Sequence, residues 1–185
     1  MFRRIIAAFL LAVPTGAAFG QTDDTGAWAV GAMPNGCMVQ ATSPQGTMLS
    51  VWGIAGDDKL GFLLQNREWQ TLRDGGSYEL KLEFLGVSSL PVQATARREI
   101  DSDGPGFFFN LEPGGTSGRG FLDAFSTAQG MRISEHGKSF DTLPLAGSEG
   151  AMAALARCLA ERWSEADPVA APDEEEDAAA GTTTI

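Results

Sequence analysis

The chain has 185 residues, a formal net charge of −11, one histidine and two cysteines. This acidic balance excludes a nucleic-acid binder, because Lys and Arg clusters must neutralise the phosphates, and it argues against binding to an anionic membrane surface. Once the segments at the two ends are set aside, the remaining length suits a single domain with its own core.

Residues 1–20 have the three parts of an export signal. Arg3 and Arg4 give a positive start, an apolar run follows, and a stretch of small residues ends at Gly20. This ending predicts cleavage before Gln21. The apolar run has about half of the ~20 residues that a transmembrane helix needs, so we expect no stable membrane insertion after cleavage. The protein is therefore predicted to be periplasmic or secreted.

Residues 21–163 alternate between short apolar runs and turn-forming residues, which is typical of a single β-rich domain. In the clearest run, Tyr78 and Leu80 begin an apolar face that alternates with charged residues. We predict a hairpin over 78–97 and further strands at 27–31, 37–42, 47–54, 59–65, 106–111, 130–135 and 138–145. About eight or nine short strands indicate a mainly β fold, an antiparallel barrel or sandwich.

Two segments have the pattern of helices. Residues 120–128 predict a short helix and residues 148–163 a longer one. At the start of the longer helix, Ser148 can accept hydrogen bonds from the N–H groups of the first turn. Leu155 belongs to an apolar stripe along one side, so we expect this C-terminal helix to pack on the sheet.

The last segment, residues 164–185, has a different composition. It holds seven acidic residues and no basic one, it is rich in Ala and Pro, and its apolar residues follow no period. Such a segment buries too little apolar surface to offset its ordering entropy, so we predict a disordered acidic tail. Its run of acids at 173–177 is interpreted as solvating, with attraction of a cation or a partner as the alternative.

The two cysteines, Cys37 and Cys158, lie near the two ends of the predicted domain. In an oxidising compartment we expect them to form one disulfide, which would tie the first strands to the last helix. The alternative is a pair of unpaired buried thiols. The chain has no CxxC motif, which argues against a redox role, and two Cys with one His cannot complete a tetrahedral zinc site. We therefore predict neither metal nor cofactor.

The residues that resemble catalytic motifs do not combine into a site. Ser148 lies in a sequence similar to a nucleophile elbow, but that motif needs a later histidine, and the only one, His136, comes earlier in the chain. His136 falls in a predicted hairpin turn, where we interpret it as a spectator, and its neighbour Asp141 completes no plausible triad. The acidic residues alternate on exposed strand faces, which disfavours a glycosidase pair. We predict that the protein is not an enzyme.

Residues 101–104 resemble the beginning of a calcium-binding loop. Glu112 falls at the twelfth position counted from Asp101, where such loops place a bidentate ligand. However, Pro105 occupies a position that needs an oxygen-bearing side chain. We therefore favour a polar loop over a calcium site.

One tryptophan is a candidate for partner binding. Trp69 lies among polar neighbours just before a predicted turn, close to Arg67. We favour packing of Trp69 in the core. The alternative is an exposed indole that, together with Arg67, anchors a protein partner, because Trp and Arg are enriched at the energetic centres of interfaces.

The two ends of the domain carry a family resemblance. Trp28 is followed nine residues later by Cys37, each in a short predicted strand. The region 130–159 contains a strand, a turn at Leu145–Gly147 and an Ala- and Leu-rich helix that carries Cys158. This layout resembles the invasion-associated locus B family of small exported alphaproteobacterial proteins. The resemblance implies assistance in host-cell association and supplies no catalytic residues.

We therefore expect an exported, non-enzymatic β-domain that binds a protein or a cell-envelope component. Two alternatives stay open. One is a periplasmic inhibitor of a protease or lysozyme, which would present residues 65–76 or 101–119 as a rigid loop that loses little entropy on binding. The other is a carrier that encloses a small apolar ligand inside a barrel.

Overall fold

The computed structural model describes residues 27–98 and 104–166. The predicted signal at 1–20, the calcium-like residues 101–103 and most of the predicted tail lie outside the described residues. In chain order the elements are β1 Ala29–Met33, β2 Gly36–Thr42, β3 Met48–Ile54, β4 Leu60–Gln65, β5 Ser77–Phe84, β6 Ser88–Arg97, β7 Gly106–Leu111, α1 Thr116–Thr127, β8 Gly130–Glu135, β9 Lys138–Pro144 and α2 Ser148–Ala166.

The nine strands form one antiparallel sheet in the order β1-β2-β3-β4-β7-β6-β5-β8-β9. The sheet curls into a half-barrel, and the C-terminal helix α2 packs against it. The predicted mainly β fold, with about eight or nine antiparallel strands and a C-terminal helix, is confirmed. The predicted alternation in β5 is also present, because Leu80 and Leu82 are buried while Glu79 and Lys81 are exposed.

Helix α1 contributes large side chains to the inner face of the curled sheet. The ring of Phe121 lies 4.8 Å from that of Phe62 on β4 and 5.3 Å from that of Phe84 on β5. Phe125, one turn further along, contacts Trp28 with ring centroids 5.5 Å apart. Edge-to-face pairs of this kind add to the free energy gained by burial. The core therefore joins strands from both halves of the sheet through α1.

Helix α1 begins at Thr116, four residues earlier than predicted. This start falls within residues 101–119, a candidate loop in the sequence-based prediction. Gly118 is instead buried in the first turn, where an added Cβ would lie 3.0 Å from the α-carbon of Pro113 and closer still to the carbonyl of Glu112. Because Gly118 has no side chain, the start of the helix packs closely on the preceding segment. The local pattern of apolar and polar residues does not reveal such a contact.

The pairing predicted for Cys37 and Cys158 is confirmed. A disulfide joins these residues, whose α-carbons are 6.1 Å apart, and it links β2 to α2. On the same side of α2, Ala151 and Leu155 are almost completely buried. The last helix is therefore held to the second strand by a covalent bond and by apolar packing.

The predicted capping role of Ser148 is corrected. Ser148 is the first residue of α2 rather than the residue before it, and its hydroxyl donates a hydrogen bond to the Phe125 carbonyl, at 2.6 Å. The last carbonyls of a helix have no partner within it, and Phe125 lies in the last turn of α1. The buried hydroxyl of Ser148 therefore gives a carbonyl at the end of α1 a hydrogen-bond partner, and it joins the two helices.

Side-chain hydrogen bonds connect the two margins of the sheet. Trp28 Nε1, just before β1, donates to the carbonyl of Ala146, just after β9, at 3.2 Å. Ser43 Oγ, at the end of β2, donates to Asp141 Oδ2 on β9 at 2.7 Å. Across the described strands, β1 and β9 share no backbone ladder. The half-barrel is thus closed by side chains from opposite margins.

Candidate functional site

Trp69 occupies the core, which corrects the alternative that placed it on the surface. The indole is only 8% exposed and lies 5.3 Å from the ring of Phe107 and 5.5 Å from that of Phe140. Two successive turns cause this, because Trp69 N–H donates to the Asn66 carbonyl and Leu72 N–H donates to the Trp69 carbonyl. The compact loop turns the indole inward, away from its polar sequence neighbours.

Arg67 is exposed on the same loop, next to the exposed Glu68. The loop is anchored by Asn66, whose side-chain oxygen accepts from the Glu68 N–H at 2.8 Å and whose amide donates to Thr47 Oγ1 at 2.9 Å. A partner at this corner would meet Arg67 and Glu68 rather than the indole of Trp69. The binding role of Arg67 therefore stays a prediction, without the exposed indole that was to accompany it.

An apolar groove of about 320 Å³ opens between the two helices, beside the start of β4. We call it the α1–α2 groove. Its main lining residues are Leu60, Leu122, Met152, Ala156, Leu159 and Trp163. At one end Trp163 is 49% exposed, which makes it one of two large hydrophobic side chains exposed among the described residues. The groove thus offers an accessible apolar surface with an aromatic side chain at its end.

Helix α2 divides its apolar residues between two faces. Ala151 and Leu155 pack against the core. Residues 152, 156, 159 and 163 are spaced by four, three and four positions, which places them in one line along a helix. This line forms one wall of the α1–α2 groove, and Leu159 lies between the two faces because it also approaches Gly53 of β3.

Charged residues adjoin the lining residues of the groove in the chain. Lys59 and Glu112 form an exposed ion pair of 3.9 Å beside the lining residue Leu60. Asp123 follows Leu122 on α1, and Glu149 precedes Met152 by one turn of α2, and both acids are exposed. An apolar floor with a polar rim is the composition of a protein–protein interface.

The outer face of the sheet carries a second aromatic cluster. Trp52 on β3 extends its indole over Gly61 of the neighbouring strand, where an added Cβ would lie 2.7 Å from Nε1. The indole also stacks on Phe108 of β7, with ring centroids 5.7 Å apart. Both side chains are half-buried. Aromatic cover of a strand glycine stabilises a sheet, so we interpret this cluster as structural.

The residues that resembled a catalytic triad have separate structural roles. Ser148 donates to the Phe125 carbonyl, and Asp141 accepts from Ser43. His136 occupies the predicted hairpin turn, with a positive φ of 46°. Within 27–98 and 104–166, no group of three or more His, Cys, Asp or Glu side chains is arranged to hold a metal ion. Within the same ranges, no helix has the length and apolar character needed to cross a membrane.

Comparisons with protein-family models, with curated proteins and with solved structures found no match to this chain. The chain's own geometry therefore supplies the case for its function. Trp163 is not among the site residues predicted from the sequence, because it lies where the predicted helix meets the acidic segment. The four-three-four spacing that ends at Trp163 was the signal that marks it as part of a second apolar face.

Proposed function

We propose that this protein is an exported, non-enzymatic β-domain that binds a protein partner through the α1–α2 groove. The observation that carries the proposal is the exposure of Trp163 at the end of a line of apolar side chains that includes Leu159 and Met152. Tryptophan is enriched at the energetic centres of interfaces, and methionine adapts its shape to a partner.

The rigidity of the groove supports a binding role. Its α2 wall is tied to β2 by the Cys37–Cys158 disulfide, and its α1 wall is joined to α2 by the Ser148 hydrogen bond. A preorganised surface loses little conformational entropy when a partner binds. Both walls are therefore fixed before association.

Export and family membership are parts of the same proposal. A long-range disulfide is typical of proteins outside the cytoplasm, which agrees with the signal-like residues 1–20. We further propose membership in the invasion-associated locus B family, with a role in host-cell association. A cell-envelope component, rather than a host protein, is the other occupant that the proposal allows.

A hydrolase inhibitor is the second candidate. The hydrogen bonds of Asn66 hold the loop that displays Arg67 and Glu68, and inhibitors use rigid loops of this kind. Inhibition of an envelope protease or lysozyme that is lost in Arg67→Ala would favour this candidate. The carrier alternative receives no support from the interior, which is filled by side chains such as Phe62 and Phe121.

Site-specific cross-linking tests the proposed groove. A photoreactive amino acid replaces Ala156, an exposed residue that lines the groove, and in a matched control it replaces Ala153, an exposed residue of the same helix outside the groove. We expect adducts with one partner from position 156 and not from position 153. The purified partner should then lose affinity for Trp163→Ser. Equal adducts from both positions would refute the groove as the binding surface.

A further inference from the structure

We infer that the α1–α2 groove binds a cationic amphipathic helix of a partner protein, an inference that rests on the proposed function. Such a helix has an apolar face and a face rich in Lys and Arg. Its apolar face would pack on Met152, Leu159 and Trp163, and its basic side chains would face a protein of negative net charge.

The dimensions of the groove suit a short helix. Its α2 wall extends over twelve residues from Met152 to Trp163, and the eleven rises of 1.5 Å between them correspond to about 16 Å. Three turns of a partner helix cover this length, and anchors at positions i, i+3, i+4 and i+7 would follow the apolar line. The exposed Ala156 lies near the middle, where its small side chain leaves room for a large side chain of the partner.

The charge of the protein indicates the sign of the partner. The chain has a net charge of −11, and after Arg162 it contains seven acidic residues and no basic one. The rim itself is mixed, because Lys59, Arg119, Arg157 and Arg162 lie within one turn of lining residues in the chain, as do Glu112, Asp123, Glu149 and Glu161. The negative surplus therefore belongs to the chain as a whole and to the residues after Arg162, not to the rim. A cationic partner gains attraction and faster association from this field.

The same charge argues against two other occupants. A second copy of the chain would bring another −11 to the contact, and like charges oppose association. The chain's own residues 167–185 carry six acidic residues and no basic one, so they would bring negative charge to a protein that is already acidic. A cationic segment is the occupant that the charge favours.

The test uses the purified, disulfide-bonded full chain and a synthetic peptide of fourteen residues. The peptide contains only Leu and Lys, with Leu at helical i, i+3, i+4 and i+7 spacing, and a scrambled peptide of equal composition is the control. Titration is followed by calorimetry and by Trp fluorescence. We expect the patterned peptide to bind about tenfold or more tightly than the scrambled one, because only it presents a continuous apolar face.

Matched variants assign the contact. Ala156→Gln should weaken binding of the patterned peptide by about tenfold, whereas Ala153→Gln should leave it unchanged, since both add the same neutral side chain to exposed positions of α2. Replacing the acids at 173–177 by Asn and Gln should weaken binding and reduce its salt dependence.

Four results would overturn the inference. The first two are equal binding of the two peptides and no effect of Ala156→Gln on the binding of the patterned peptide. The third is tighter binding after neutralisation of 173–177, which would indicate that the chain's own segment competes for the groove. The fourth is a dimer of the protein that Ala156→Gln dissociates. If cross-linking from position 156 instead identifies a neutral or acidic partner, the proposed function stands and this inference fails. Failure of both experiments would refute both proposals.

Discussion

Ser43 Oγ donates a hydrogen bond to Asp141 Oδ2 across 2.7 Å, although 98 positions separate the two residues in the chain. Asp141 Oδ1 accepts from the Thr142 N–H at 2.6 Å, and Ser43 Oγ accepts from the Thr47 N–H at 3.0 Å. Both side chains are buried, and each hydrogen bond satisfies a group that would otherwise lose contact with water. This pair therefore joins the opposite margins of the half-barrel.

Ser43→Ala tests the contribution of this pair to stability. The substitution removes a donor from a buried carboxylate, so the free energy of unfolding should fall by about 1–3 kcal/mol. Urea denaturation followed by Trp fluorescence measures the change. The exposed Asp58→Asn serves as a control for a surface substitution, with an expected effect within about 0.5 kcal/mol. A loss for Ser43→Ala as small as that of the control would contradict the structural role.

Trp69→Ala should destabilise the fold rather than remove a binding contact. The indole packs on Phe107 and Phe140, and deletion of such a buried ring costs about 3–5 kcal/mol. We expect a marked drop in melting temperature in the variant. Arg67→Ala is the informative variant for binding at this loop, because Arg67 is exposed. If Trp69→Ala melted at the wild-type temperature, the core packing described for this residue would be wrong.

Local sequence patterns predict most of the strands. The features that these patterns do not predict depend on contacts between residues distant in the chain. The alternation that begins at Tyr78 locates β5 because each strand position faces either the core or the solvent. The pairing of β7 with β4 joins strands that β5 and β6 separate in the chain, so no local signal reveals it. Trp69 and Trp163 both have polar sequence neighbours, yet one is buried and the other exposed. The turns at Asn66 and Trp69 direct the Trp69 indole into the core, and such turn geometry is not encoded in composition.

Reduction of the disulfide should lower stability without changing the topology. Cys37 and Cys158 are 121 positions apart, and closure of a loop of this length in the unfolded chain is worth about 5 kcal/mol in the chain-entropy description. We expect the urea midpoint to fall on addition of a thiol reductant. A Cys37→Ala/Cys158→Ala variant provides the control, because the reductant should not affect it. An unchanged midpoint in the wild type would show that the bond contributes little.

Gly61→Ala should disturb the outer aromatic cluster. The added methyl group would occupy the space now filled by the Trp52 indole, whose Nε1 would be 2.7 Å from the new Cβ. Forced displacement of a packed ring costs about 1–3 kcal/mol. Denaturation measures the loss, and near-UV circular dichroism should report a changed Trp environment. Gly114→Ala, which meets no atom within 4 Å, is the matched control, and similar losses for both variants would contradict the contact.

The first and last elements of the chain close the half-barrel, and this determines how late in folding the domain reaches its final structure. Trp28 donates to the carbonyl of Ala146, and Cys37 is bonded to Cys158. The margin formed by the opening strands can therefore be covered only when nearly the whole described chain is available to fold. Contacts of such long range slow folding, and in that interval the uncovered strands depend on protection from association with other chains.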